Sequence, residues 1–197
     1  MIKHITMAFA IIAFLLLPLI SAAYAETTVE TVRRMCTAPD NQDFSVFDPD
    51  LLPSILIDII RNDPADADYH DRVVVSALQE LGRLGVGEGT DVFVEKVDEY
   101  PETCLYWLPT WTRPDVIRAI AYCFDNKDPG VRLEAFDAFT RLQPVDETDE
   151  ELEIALIEAR EIMEERIGVE DDPDVLDELH KAYEYAEEIM PEGSSSL

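Results

Sequence analysis

The chain has 197 residues, with 43 Asp and Glu against 15 Lys and Arg, a net charge of −28 and three cysteines. A surface of that sign repels phosphate backbones and anionic headgroups, which excludes nucleic acid and membrane surfaces as expected partners and leaves basic proteins and cations. The excess is uneven: residues 144–197 carry 20 acidic and 3 basic side chains.

Lys3 and His4 precede an apolar run from Ile5 to Ile20, and Ala23 and Ala25 stand just ahead of the first acid, Glu26. A charged start, an apolar stretch and an Ala-x-Ala site predict a signal peptide over residues 1–25. No later run approaches the roughly 20 apolar residues of a membrane span. The expected destination is the periplasm or the exterior, with no stable membrane insertion after cleavage. The remainder is the size of one domain.

Residues 26–47 hold Pro39, Asp40, Asn41 and Asp43 and lack a clean period, which predicts an extended leader with a short helix around Val29 to Met35. Leu52, Ile55, Leu56, Ile59 and Ile60 then recur at helical spacing behind Asp48-Pro49, predicting a first helix near 50–61 closed by Asp63-Pro64. A second helix carries Val73, Val74, Ala77, Leu78, Leu81 and Leu84 and stops at Gly85 and Gly87. A short third helix follows Thr90 and ends at Pro101.

Residues 102–112 are aromatic and proline-punctuated and hold both tryptophans. Thr112-x-x-Asp115 resembles a capping box ahead of a fourth helix, and Asp128-Pro129 opens a fifth that Pro144 stops. Thr148-x-x-Glu151 and Asp172-Pro173 open the sixth and seventh. Residues 191–197 read as a disordered tail. Period-2 alternation is absent, so the expected class is all-α, with about seven helices in one domain over 48–190.

Two segments repeat. His70 to Leu84 aligns with Asp128 to Leu142, matching Val73 with Val131, Ala77 with Ala135, Leu78 with Phe136, Leu81 with Phe139, Arg83 with Arg141 and Leu84 with Leu142. The Asp-Pro start, the Val-Arg pair at 131–132 and the closing Arg-Leu resemble the inner helix of HEAT repeats. That resemblance covers about half of the expected mature chain, and the 58-residue offset departs from the roughly 40 of a regular HEAT array. It implies a short, irregular α-solenoid of helical hairpins. It also implies a non-enzymatic scaffold or adaptor that binds another protein.

Few residues offer catalytic chemistry. Serine nucleophile elbows, phosphate-binding glycine loops and His-Glu-x-x-His are missing, and no cysteine spacing matches a zinc site. The expectation is no enzyme, no cofactor and no resident metal. His70 lies in a turn with Asp63, Asp66, Asp68 and Asp71, whose oxygens suit calcium, although the glycine and final glutamate of a calcium loop are absent. An acidic calcium-binding protein of the cell envelope is therefore the alternative reading. His180 has Asp177 and Glu184 one turn away.

An exported chain permits disulfides, and three cysteines allow three pairings. The leaning is to Cys104–Cys123, because Cys36 sits in the poorly periodic leader. Tyr106, Trp107 and Trp111 are the candidate partner-binding residues, since Tyr and Trp bury large area with few torsions. The competing reading places them as a plug in the core. Arg113 and Arg118 stand nearby, able to hold an acidic group or to pair with local carboxylates.

Overall fold

The computed structural model describes residues 28–38, 43–144 and 150–190. Among them are nine α-helices and no strand. The helices are α1 (28–37), α2 (Leu52–Asn62), α3 (His70–Leu84), α4 (Thr90–Lys96), α5 (Pro101–Trp107), α6 (Pro114–Tyr122), α7 (Pro129–Thr140), α8 (Glu150–Ile167) and α9 (Pro173–Ile189). The fold is all-α, as the periodicity requires. None of these helices is long and apolar enough to cross a membrane. The expected signal peptide, Thr148 and the tail 191–197 lie outside the described residues.

Helix α1 is the short helix expected around Val29 to Met35 of the leader, and it buries Val32 and Cys36, which stand four residues apart on one face. One helix exceeds the expected set. Helix α5 begins at Pro101, because a proline that ends one helix also suits the first turn of the next. Helix α2 begins at Leu52 rather than beside Asp48-Pro49. The Asp48 carboxylate there accepts from the Asp50 amide, and the Asp48 carbonyl accepts from Leu51 and Leu52, so the pair forms a turn ahead of the helix.

The chain falls into two compact units that divide between Ala77 and Leu78, inside α3. In the first unit, Leu52, Leu56, Ile59 and Ile60 of α2 and Val73, Val74 and Ala77 of α3 are buried. Asp63 ends α2, and its carboxylate is fully shielded from solvent. It accepts from Arg33 Nε of α1 and lies 2.8 Å from His70 Nδ1 at the start of α3. One buried carboxylate thus joins three helices. Tyr69, just before His70, stands at φ 67°, a left-handed conformation that costs a residue with a β-carbon about 1 kcal/mol.

The second unit packs by alternation. Helix α4 contacts α6, and α6 contacts α8; α5 contacts α7, and α7 contacts α9. Successive helices α4 and α5, α6 and α7, and α8 and α9 also touch. Next-neighbour and next-but-one contacts are compatible with a helical solenoid. Phe124 stacks on Phe136 at 4.5 Å between ring centroids and meets Phe139 at 6.0 Å, filling the space around α7.

Local signals fix the helix ends. Asp128 accepts from the Gly130 amide, and Asp172 accepts from the Asp174 and Val175 amides, so both Asp-Pro starts act as caps. Gly85, at φ 64°, takes the left-handed turn after α3. Thr112 caps nothing: its hydroxyl donates to the Gln143 carbonyl and accepts from the Gln143 amide, tying the entry of α6 to the exit of α7.

A buried ion cluster joins α7, α8 and the turn before α9. Arg132 donates two hydrogen bonds to Glu170, at 2.8 and 2.7 Å, and a third to the Asn126 carbonyl at 2.9 Å. Arg166 adds a bond to Glu170 at 3.0 Å. The Arg132 guanidinium holds the Glu170 carboxyl down at about 2 against the opposing effect of burial, with help from the Asp172 amide and Arg166.

Candidate functional site

Helix α6 turns Asp115, Arg118 and Tyr122, at i, i+3 and i+7, away from its core stripe of Val116, Ile117 and Ile120, with Ala119 buried between them. Val94 and Val97 approach from α4 and its last turn, with Asp98 beside them. Together these side chains line an open furrow of about 420 Å³. Its floor is apolar, formed by Val94, Val97 and Ala119. Tyr122 stands at the rim, 62% exposed, and donates a hydrogen bond of 3.3 Å to Asp98. The Asp98 charge and this bond push the phenol pKa upward, so the hydroxyl stays a neutral donor.

Nearby arginines are already paired. Arg118 bonds Glu158 at 2.9 Å and lies 3.6 Å from Glu151. Arg113 meets Asp115 at 2.8 Å and Asp91 at 3.1 Å. Among the described residues no cation pairs with Asp98, whose hydrogen-bond partner is the Tyr122 phenol. Shape, an exposed ring and an ion-unpaired carboxylate converge at this furrow.

The three aromatic residues singled out from the sequence separate in the structure. Tyr106 is exposed, with the Arg141 guanidinium 5.8 Å from its ring centroid. Arg141 also donates to the Tyr106 and Leu105 carbonyls, at 3.1 and 3.2 Å, and so closes the C-terminal end of α5. Trp107 is partly buried against Gly82, where an added β-carbon would fall 2.3 Å from the indole. Trp111 is partly buried and tilts against Phe93 at 5.5 Å. Tyr106 and Trp107 meet edge to face at 4.9 Å. Both indoles are thus packed on one side and partly exposed on the other, and Tyr106 is the exposed ring of the three.

Cys104 and Cys123 are both buried thiols, and each stands as a separate thiol. Burial pushes Cys104 up to about 12, with the nearby Cys123 adding to the effect; burial and then Asp98 push Cys123 up to about 11. Cys36 is likewise a buried thiol. Thiols so shielded are poor nucleophiles, because the reactive species is the thiolate.

In the acidic turn around His70, the first carboxylate, Asp63, is engaged by Arg33 and His70. His180 is exposed, and its neighbour Asp177 pairs with Lys181 at 2.8 Å. Among the described residues no group of three or more His, Cys, Asp or Glu is placed to hold a metal ion. A second concavity, of about 480 Å³, opens beside Asn126, Lys127 and Asp172, and its two arginines, Arg132 and Arg166, are committed to Glu170.

The furrow had a signal in the sequence. Tyr122 and Val94 lie off the apolar stripes of their helices, and an apolar or aromatic residue on the polar side marks an exposed patch. Reading each helix only for its core face hides that signal. No protein-family model matches the chain, and no curated protein matches it. Among solved structures it is similar to the crystal structure of an engineered protein, at 13% identity and a TM-score of 0.35, over 84% of this chain and 92% of that one.

Proposed function

We propose that the chain is an exported, non-enzymatic helical scaffold or adaptor of HEAT-like construction, which works by holding another protein in the cell envelope or outside the cell. One observation carries this reading: α4, α6 and α8 contact in series, as do α5, α7 and α9, and each of these helices keeps exposed side chains. Such a surface recognises an extended partner by many small contacts rather than by chemistry at one point. The Ala-x-Ala site before Glu26 supports export.

The test places a photo-crosslinking amino acid at Tyr106 or at Arg118 of the full chain, both exposed, expressed in its native cells. One discrete adduct of higher mass, containing a second protein, is the expected result. Absence of any adduct from either position, and from a third at exposed Val169, removes the scaffold reading. Export is checked separately by N-terminal sequencing of the protein recovered outside the cytosol. It should begin at Glu26, and an intact Met1 in the cytosolic fraction overturns that part.

A further inference from the structure

We infer that the furrow between α4 and α6 seats a cationic, amphipathic segment of a partner protein, with a Lys or Arg side chain lodged between the Asp98 carboxylate and the Tyr122 ring. The inference rests on the scaffold reading and names the partner's chemistry. Four observations select a cation over other occupants. The 3.3 Å bond from Tyr122 to Asp98 is long, so the carboxylate keeps most of its acceptor capacity for a second donor. Tyr122 is 62% exposed, so the ring offers a π-face to a cation already drawn to Asp98.

The surrounding charges point the same way. Arg113 and Arg118 are each held by two carboxylates, which leaves an acidic partner no free cation at this rim. The net charge of −28 adds long-range attraction for a basic segment. The floor of Val94, Val97 and Ala119 takes apolar side chains, and this separates an amphipathic protein segment from a simple polycation. A second copy of the chain, equally acidic, is disfavoured by repulsion.

The probe is a fluorescein-labelled twelve-residue helical peptide carrying Leu on one face and Lys beside it. It is titrated by anisotropy into the full chain at physiological salt. Two companion peptides replace every Lys by Glu or every Leu by Ser. Only the Leu/Lys peptide should bind, and Asp98→Asn and Tyr122→Ala should each weaken it about fivefold. Tyr122→Phe, which keeps the ring, should weaken it less than Tyr122→Ala. Glu187→Gln, an equal charge change on the exposed face of α9, should leave it unchanged.

Equal weakening by Asp98→Asn and Glu187→Gln overturns the site, because binding then follows total charge alone. Equal binding of the Leu→Ser peptide, or full displacement by an equivalent concentration of spermidine, overturns it in favour of a polycation. Failure of the Leu/Lys peptide to bind at all also overturns it. Circular dichroism and a thermal melt of each variant confirm the fold, and both substituted side chains are exposed. A partner crosslinked from Tyr106 but never from Arg118 refutes the furrow while leaving the scaffold reading in place.

Discussion

Helices α3 and α7 carry the same sequence pattern and solve different packing problems. Val73, Ala77, Leu78 and Leu81 are buried in α3, and their counterparts Val131, Ala135, Phe136 and Phe139 are buried in α7. At the next slot α3 buries Val74, whereas α7 buries Arg132. The valine stabilises by leaving water, worth about 1.5–3 kcal/mol. The arginine must first lose its hydration and regains it only through Glu170 and two backbone carbonyls. Two rows later α3 has Gly82 beneath an indole, and α7 has Thr140, whose hydroxyl bonds the Asp137 carbonyl. A shared repeat fixes which face is buried, and the individual slots are then adapted to what lies against them.

The largest expected effect comes from breaking the α7 slot. Glu170→Ala leaves the Arg132 charge buried beside Arg166 and should lower the unfolding free energy by about 3–5 kcal/mol in urea titrations. Replacing both partners, as Arg132→Met with Glu170→Met, makes the slot resemble that of α3. This double variant should fall within about 1 kcal/mol of the parent or exceed it. A double variant as unstable as Glu170→Ala would show that the cluster does more than satisfy its own charges.

Acid should expose the same contrast. The folded Glu170 carboxyl sits at about 2, below its ordinary value of 4.5. Its contribution is therefore complete above pH 4.5 and lost as the pH falls through about 2, amounting to about 3 kcal/mol over that window. Urea titrations at pH 6 and pH 2.5 should show a smaller acid loss in the double methionine variant than in the parent. Equal losses would place the acid sensitivity in other carboxylates.

The smallest effect belongs to the α3 slot. Gly82→Ala sets a methyl group against the Trp107 ring and should destabilise by about 1–3 kcal/mol, partly offset by about 1 kcal/mol from the better helix propensity of alanine. A Gly82→Ala, Trp107→Leu pair should recover stability relative to Gly82→Ala alone. A single variant more stable than the parent would mean that the indole yields easily.

The legible parts of the fold are those written within a few residues. Asp128-Pro129, Asp172-Pro173 and Gly85 act locally, and the structure uses all three as read. Thr112 misleads because its better partner, Gln143, is 31 residues away. Arg33 with Asp63, 30 residues apart, and Arg132 with Glu170, 38 apart, leave no local trace for the same reason. Helix α5 is hidden by the double meaning of Pro101. The aromatic cluster is visible as composition, but its division into an exposed Tyr106 and two partly buried indoles depends on the absence of a side chain at Gly82 and on the position of Phe93. The furrow is a juxtaposition of two outward faces, which no single helix announces.

Trp107, seated on Gly82, also makes the protein its own optical gauge. With two tryptophans in the chain, one edge-on to Tyr106 above a bare stretch of helix and the other beside Phe93, emission divides into two distinct reports. Trp111→Phe isolates the indole that reads the approach of α3 and α5. Trp107→Phe isolates the one beside α4, a helix that forms one wall of the furrow. Occupancy of that furrow can then be followed by intrinsic fluorescence, without attaching a dye to the protein.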